Sequence, residues 1–399
     1  MKKFILTGFA LAALFLTSCG DDDNNGGGSS VSFFDGTTLR GTVTENYEIP
    51  AGNYILQGDV YVESGVTLTI APGTTFTASR ADGIDTFIVK KDATIIAEGT
   101  AAQPIIFTAD VHEKGQWGGI TVCGNAPVNF GVGEGADFQQ ISPAIAEVRN
   151  LEYGGSQSGD SSGALKYVVV AYGGAQLTPE SEFNGFSFYG VGSGTEVENI
   201  VSYMGKDDGM EFFGGTVGAT NLLSLYSGDD SVDWTEGWTG TVSNIYISME
   251  SDADSGFEGD GNGLNNDADP ASNPQLSNIS IIGGAGNGEG MNLREGTNVN
   301  ISNVFMSGFD VSDDMKYIEI DSDRSTAFIT DGTFQLTNID FNTPTAGLKI
   351  DFDSVYDDVA FDGSLSTLGL PGFTEGTSTG AGAGADMPAW ADWFTALSL

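Results

Sequence analysis

The chain has 399 residues, with 58 Gly, 55 Asp plus Glu against 14 Lys plus Arg, and a formal charge of −41. A surface of that sign repels nucleic acid and anionic membrane surfaces, which removes nucleic-acid binding from the candidate functions. A hydrophobic fraction of 40% with 25 Phe removes the opposite extreme, a disordered acidic chain, because such chains lack apolar material to bury.

At the N-terminus Lys2 and Lys3 precede an apolar run from Phe4 to Leu16, too short to span a bilayer, and then Leu16-Thr17-Ser18-Cys19. This resembles a bacterial lipoprotein signal over residues 1–18. The resemblance implies that Cys19 is lipidated and that the mature protein is held at the outer membrane. The following "GDDDNNGGGSS" starts a flexible acidic tether, residues 19–32. Acids directly behind the lipidated cysteine are similar to the export signal of surface lipoproteins in Bacteroidota, which implies an extracellular address. With Cys19 consumed, Cys123 has no partner for a disulfide.

From residue 33 the chain turns repetitive. "GDVYVESGVTLTIAPGTTFTA" (58–78), "TFIVKKDATIIAEGTAAQPIIFTA" (86–109) and "GQWGGITVCG" (115–124) alternate Val, Ile, Thr and Leu between Gly turns. Residues 125–163 lack such phrases and are expected to leave the repeat as a long loop excursion.

Beyond the excursion one short strand phrase recurs: "VENIVS" at Asn199, "ATNLLS" at Asn221, "VSNIYI" at Asn244, "LSNISI" at Asn278, "ISNVFM" at Asn303 and "LTNIDF" at Asn338. The intervals are 22, 23, 34, 25 and 35 residues, one coil plus occasional insertions. Stretches with 3.6-residue periodicity long enough for a helical solenoid are missing. The expected fold is all-β, a single right-handed parallel β-helix of about 22–25 residues per coil over residues 33–385. The opening segment and the repeats resemble the coils of secreted β-helix lipoproteins, which implies fold more than function. Parallel stacking brings equivalent residues about 4.8 Å apart, so the Asn column is placed at a turn with its amides bonding up the stack, or facing outward.

The same logic makes the acidic turns conspicuous. "KDDGMEFFGG" (206–215) is followed 22 residues later by "GDDSVDWTEGW" (228–238) and then by "SGFEGDG" from 255. Aligned, Glu211, Asp233 and Glu258 form one outward column, thickened upstream by Asp207, Asp208, Asp229, Asp230, Asp252 and Asp254. Two unit charges 4.8 Å apart repel by about 1 kcal/mol in water and about 3.5 kcal/mol at an effective dielectric of 20. Proton uptake, splaying into solvent or a hard cation would each offset this. Oxygen ligands on semi-rigid turns suit Ca²⁺, the expected cofactor. Turn preference for Asp and Asn accounts for some of the periodic acids without any ion, but not for the Glu211, Asp233 and Glu258 column.

Function divides three ways. In a binding protein, Phe212, Phe213, Trp234, Trp238 and Phe257 beside the acids would stack on sugar rings. In a calcium-dependent polysaccharide lyase or a glycoside hydrolase of pectate-lyase-like fold, Lys206, Arg294 or Lys316 would be the lyase's base. "GDDS" at 228–231 is similar to the paired aspartates of polygalacturonases, but their Gly-His-Gly and Arg-x-Lys motifs do not follow, and the one histidine is His112. In the third class the protein is an accessory lipoprotein of an outer-membrane transporter, or an adhesin. The expectation is a non-enzymatic cell-surface protein with a cation-binding acidic face, partnered by a glycan or protein.

The C-terminal "DMPAWADWFTAL" (386–397) places Trp390, Trp393, Phe394 and Leu397 on one helical face behind Asp386 as N-cap and Pro388 in the first turn. A short helix over 386–399 is expected to close the last coil, because an open β-helix end leaves strand edges and apolar interior exposed.

Overall fold

The computed structural model describes residues 32–179, 181–284, 288–309, 317–342, 350–353, 359–361 and 365–399. The expected leader, Cys19, most of the tether and Lys316 lie outside them. Among these residues twenty-five strands join in one sheet system, almost wholly parallel, and the winding is a parallel β-helix.

Each coil contributes two kinds of strand. Short strands stack into one face: Thr86–Val89, Ile120–Cys123, Phe186–Tyr189, Met210–Phe213, Val232–Thr235, Ser255–Asp260, Glu289–Arg294, Ile318–Asp321 and Ile350–Asp353, each in parallel register with the next. Longer strands stack beside them: Gly163–Ala171, Glu196–Tyr203, Ala219–Leu225, Thr241–Ser248, Gln275–Ile282, Asn300–Ser307 and Gln335–Phe341. Each longer strand after the first bends at its Asn. Asn199, Asn221, Asn244, Asn278, Asn303 and Asn338 all have φ between 54° and 62°, a left-handed conformation that Asn tolerates better than most residues. The bend turns the strand into two limbs with a corner between them.

At that corner the amides form a ladder. Asn221 Nδ2 donates to Asn199 Oδ1 at 2.9 Å, Asn244 to Asn221 at 2.8 Å, Asn278 to Asn244 at 3.2 Å, Asn303 to Asn278 at 3.2 Å and Asn338 to Asn303 at 2.8 Å. One side chain supplies both backbone geometry and axial bonding, which explains why the repeat phrase keeps this residue.

The interior is a continuous apolar column with stacked rings, among them Phe76 on Phe107 and Phe188 on Phe212. Phe33 and Phe34, 2% and 3% exposed, close the N-terminal end against Tyr47 and Tyr54. At the other end Val359–Phe361 pairs antiparallel with Ile350–Asp353, which occupies the edge a further parallel coil would need. A helix unforeseen in the sequence, Asp323–Asp331, starts at Ser322, whose side chain accepts from the N–H groups of Arg324 and Ser325.

The C-terminal segment does not close the last coil. Its helical part is a 3₁₀ turn, Ala389–Ala391, followed by Asp392–Thr395, and Asp386 caps neither. Residues 376–397 instead run back along the outside of the second limb. Ser378 N–H donates to Asp340, Ala381 N–H to Ser280 Oγ and Tyr246 Oη to Ala385 O. Trp393 and Phe394 end against Tyr167 and Tyr203. The strap lies on the outward row Val169, Val201, Leu223, Tyr246, Ser280 and Phe305, none more than 8% exposed. Runs such as "LLSL" and "IYIS" are apolar on both sides because both sides are covered.

The excursion 125–163 also folds back, over the short-strand face. Val128, Ala144, Ala146, Val148, Leu151 and Tyr153 build a second small core with Ile88, Cys123, Phe183, Tyr189 and Phe213. Arg149 pairs with Asp59 at 2.9 Å, Lys91 Nζ donates to Gly154 O at 2.7 Å and Asn129 Nδ2 to Pro270 O at 2.8 Å. These bonds staple the excursion to coils far apart along the axis.

Candidate metal centre

Strand alternation decides what faces out. In Met210–Phe213 the Met210 and Phe212 side chains enter the interior, so Glu211 must point outward. The register then aligns Ser187, Glu211, Asp233, Glu258, Asn292, Glu319 and Asp351 as one column. Glu211, Asp233 and Glu258 are vertical neighbours, and the turn before each strand adds Asp207, Asp208, Asp229, Asp230 and Asp254.

The column is not a solvated surface. Asp208, Glu211, Asp230 and Asp233 are only 7%, 8%, 4% and 9% exposed. Three sets bring one carboxylate oxygen each to within 4.8 Å of the others: Asp207 with Asp208 and Asp229, Asp208 with Glu211 and Asp233, and Asp229 with Asp230 and Asp254. Asp208 accepts the N–H of Asp230 at 3.0 Å, and Glu211 accepts Asn184 Nδ2 at 2.6 Å. Asp230 Oδ1, Asp233 Oδ1, Asn184 Oδ1 and Ser231 Oγ are buried with no hydrogen-bond partner. A native interior rarely leaves such atoms unsatisfied.

Burial pushes the carboxyls of Asp208, Glu211, Asp230 and Asp233 well above the usual range, and repulsion between them adds to the shift. Asp207 rises to about 8, first through burial and then through Asp229. Glu258 rises to about 7 through burial, against the pull of Arg294. Arg294 bonds Glu258 and Asp260 and closes the upper end of the column. Below Asp233, no cation pairs with Glu211, Asp208 or Asp230 among the described residues.

Two sequence expectations change. Asp252 stays out of the three sets, its side chain 59% exposed and paired with Lys114 at 3.0 Å, because it sits ahead of the turn that gathers Asp254. The aromatic platform does not exist. Phe212, Trp234, Trp238 and Phe257 are 0% exposed and Phe213 is 7%. Phe212 stacks on Trp238 at 4.1 Å inside the coil, and the indole N–H groups of Trp234 and Trp238 donate to Thr297 Oγ1 and Val217 O. Phe213 points outward but stacks on Tyr189 at 3.9 Å beneath the excursion. Alternation from Glu211 already forces Phe212 inward.

Other groups were missed. Asp260 shares the outward sense of Glu258 two residues earlier, so alternation would have found it. Asn184 precedes its strand by two residues, as Asp208 does in the next coil. The excursion's Tyr153, which donates to Glu236 Oε2 at 2.5 Å, carries no repeat signal at all. Burial lifts Glu236 to about 7 despite that bond.

A parallel β-helix with an enclosed carboxylate column on its short-strand face is the class of protein this geometry defines. The chain belongs to the pectate-lyase-like β-helix domain family, whose model matches residues 41–395. No curated protein matches the sequence. Among solved structures, a full-length tailspike protein 2 from an Escherichia coli O157:H7 bacteriophage is similar, at 10% identity and a TM-score of 0.29, over 75% of this chain and 38% of that one. At that score the likeness carries no argument.

Proposed function

We propose that the protein is a non-enzymatic, lipid-anchored cell-surface β-helix whose acidic column holds hard cations, Ca²⁺ first among them, and whose outer faces bind a glycan or a partner protein. The observation that carries the cation reading is the set of buried carboxylate oxygens without partners at Asp230 and Asp233, inside clusters made only of oxygen donors. Asp208, Glu211 and Asp233 would hold one ion, and Asp229, Asp230 and Asp254 another. Bound there, each cation supplies positive charge that the column lacks and ties two successive coils together, so that the pair links three. The anchor on Cys19 and the outer-membrane address rest on the N-terminal sequence alone, and a transporter-associated role is compatible with both.

The family makes a calcium-dependent lyase the second reading, since fold does not fix function. Against it stand the basic groups. Arg294 is engaged by Glu258 and Asp260, and Lys206 is exposed with its Nζ 3.5 Å from Gln176 Oε1. Incubation with acidic and neutral polysaccharides, followed by assays for unsaturated products and new reducing ends, separates the readings. Product formation that depends on Ca²⁺ overturns the non-enzymatic one. Elemental analysis of protein dialysed against CaCl₂ and then against buffer tests the cation: less than one retained ion per chain overturns it.

A further inference from the structure

The first limb of the bent strands carries an outward array of a different kind. Register stacks Thr220, Ser243, Ser277, Ser302 and Thr337 in one column. Two residues upstream it stacks Thr241, Gln275, Asn300 and Gln335 in another. The Asn ladder borders the first column. Across residues 219–221, 241–244, 275–278, 300–303 and 335–338 there is no charged residue, in a chain where 17% are charged. The short-strand face differs, since its outward column carries Glu211, Asp233 and Glu258; the outward positions of the opening coils, such as Thr67, Thr69, Thr75 and Thr77, are uncharged as well.

The groups on it are available. Every residue of the hydroxyl column is partly exposed. Thr337 Oγ1 lies 3.5 Å from Ile301 O, and the hydroxyls of Thr220, Ser243, Ser277 and Ser302 make no hydrogen bond among the described residues. Asn221, Asn244, Asn278, Asn303 and Asn338 each use one N–H of the amide on the Asn below, and Asn199 donates to Glu198 Oε1 at 3.1 Å. At its lower end the face runs into a groove of about 830 Å³ that shares Thr220 and Thr241 and adds Thr195, Thr216 and Thr239. Below Thr220 the same column continues as Glu198 and Lys166, which line the groove with Glu196 and end the uncharged array.

We infer that this face binds a neutral, hydroxyl-rich polysaccharide lying along the stack. The inference rests on the binding reading above and not on the cations. A hydroxyl both donates and accepts, as do the Ser, Thr and amide groups in these columns, so each sugar finds complementary partners whichever way its hydroxyls turn. The strand spacing of about 4.8 Å repeats those partners at every rung, and a repeating polymer can engage several rungs at once, which multiplies weak individual contacts. A polyanion meets repulsion from a body of charge −41. A cationic partner is drawn to the carboxylates, among them Glu196 and Glu198 below the array, and finds none among the rungs from Thr220 to Thr337. Among the described residues no aromatic ring stands on this face, so affinity depends on the number of rungs engaged and short oligosaccharides bind poorly.

The test uses the protein with its tether but without the leader, in CaCl₂ buffer. The probes are microcrystalline cellulose, chitin, mannan, starch and a β-1,3-glucan, with polygalacturonate as the anionic comparison. Retention on at least one neutral polymer is expected, weakened about tenfold in the pair Ser243→Glu with Ser277→Glu, whose melting temperature reports folding. Should that pair misfold, the triple Ser243→Ala, Ser277→Ala, Ser302→Ala removes the hydroxyls without adding charge and is expected to weaken retention in the same direction. Asp252→Asn, on the opposite charge environment, leaves retention unchanged. Three results overturn the inference. Equal retention of wild type and variants leaves the protein a glycan binder but removes this face. Retention on polygalacturonate alone, or on no polymer, removes the neutral ligand. A wild-type dimer that the Glu pair disperses, with no polymer retained, assigns the face to a second copy of the chain.

Discussion

The two side-chain ladders of this molecule obey the same geometry and have opposite needs. At the corner of the bent strands Asn199 to Asn338 stack at the strand spacing, and each amide satisfies the next. On the short-strand face Glu211, Asp233 and Glu258 stack at that spacing too, and each carboxylate aggravates the next. A β-helix multiplies whatever a residue does with a copy of itself. An amide is donor and acceptor at once and closes the ladder internally. An ionised carboxylate only accepts, so the acidic column needs protons on its carboxyls or a cation between them to offset its charge.

The largest effect expected from this difference is on the acidic side. CaCl₂ at about a hundredfold excess over the dissociation constant stabilises the native state by about 2.7 kcal/mol per site, so the melting temperature is expected to rise by several degrees over that in EDTA. Calorimetry that shows the same transition in both buffers removes the external cation from the comparison.

Neutralising one rung sharpens it further, because the sign should depend on the buffer. Asp233→Asn removes a repulsive charge and an ion ligand together. In EDTA the variant is expected to be more stable than wild type by about 1–3 kcal/mol, and in CaCl₂ less stable. A variant that is destabilised equally in both would mean that Asp233 acts only through its native packing.

The amide ladder can be converted to the other kind. Asn244→Asp keeps a residue that tolerates the left-handed backbone but replaces a donor with a charge. The expected cost is about 1–2 kcal/mol at pH 7, shrinking towards pH 4 as the new carboxyl takes up a proton. Urea denaturation at the two pH values checks it, and a pH-independent cost would show that the ladder's contribution is backbone conformation alone.

The smallest effect concerns Glu236, outside both ladders. Its carboxyl rises from 4.5 to about 7 through burial, so the folded state binds the proton more tightly than the unfolded one. Its contribution to stability is fully present below about pH 4.5 and is lost as pH climbs through about 7. Glu236→Gln is expected to flatten the stability profile between those values. An unchanged slope would assign that pH dependence to other carboxyls.

Much of this was legible in the sequence. The Asn phrases fixed the winding, and their spacing put Glu211, Asp233 and Glu258 in one column, because a repeat states its own register. What stayed hidden lies in segments without repeats. That Phe213 is covered depends on where residues 125–163 fold back, and nothing periodic in the excursion says so. Two-sided apolar strands such as "LLSL" did signal that something lies on their outer side, but not that residues 376–397 do. The aromatic platform was a misreading of a different sort: the alternation that sends Glu211 outward had already settled Phe212.

The strap has a consequence in time. Its closing contacts, Trp393 on Tyr167 and Phe394 on Tyr203, join it to coils synthesised more than 180 residues earlier. Until the strap arrives, Val169, Val201 and Leu223 remain an uncovered greasy stripe on an otherwise wound body, the kind of surface on which incomplete chains aggregate. Synthesis of the strap is thus the event that covers the earlier coils, and a chain cut short before Trp390 is expected to be lost to quality control rather than to persist as a shorter, working molecule.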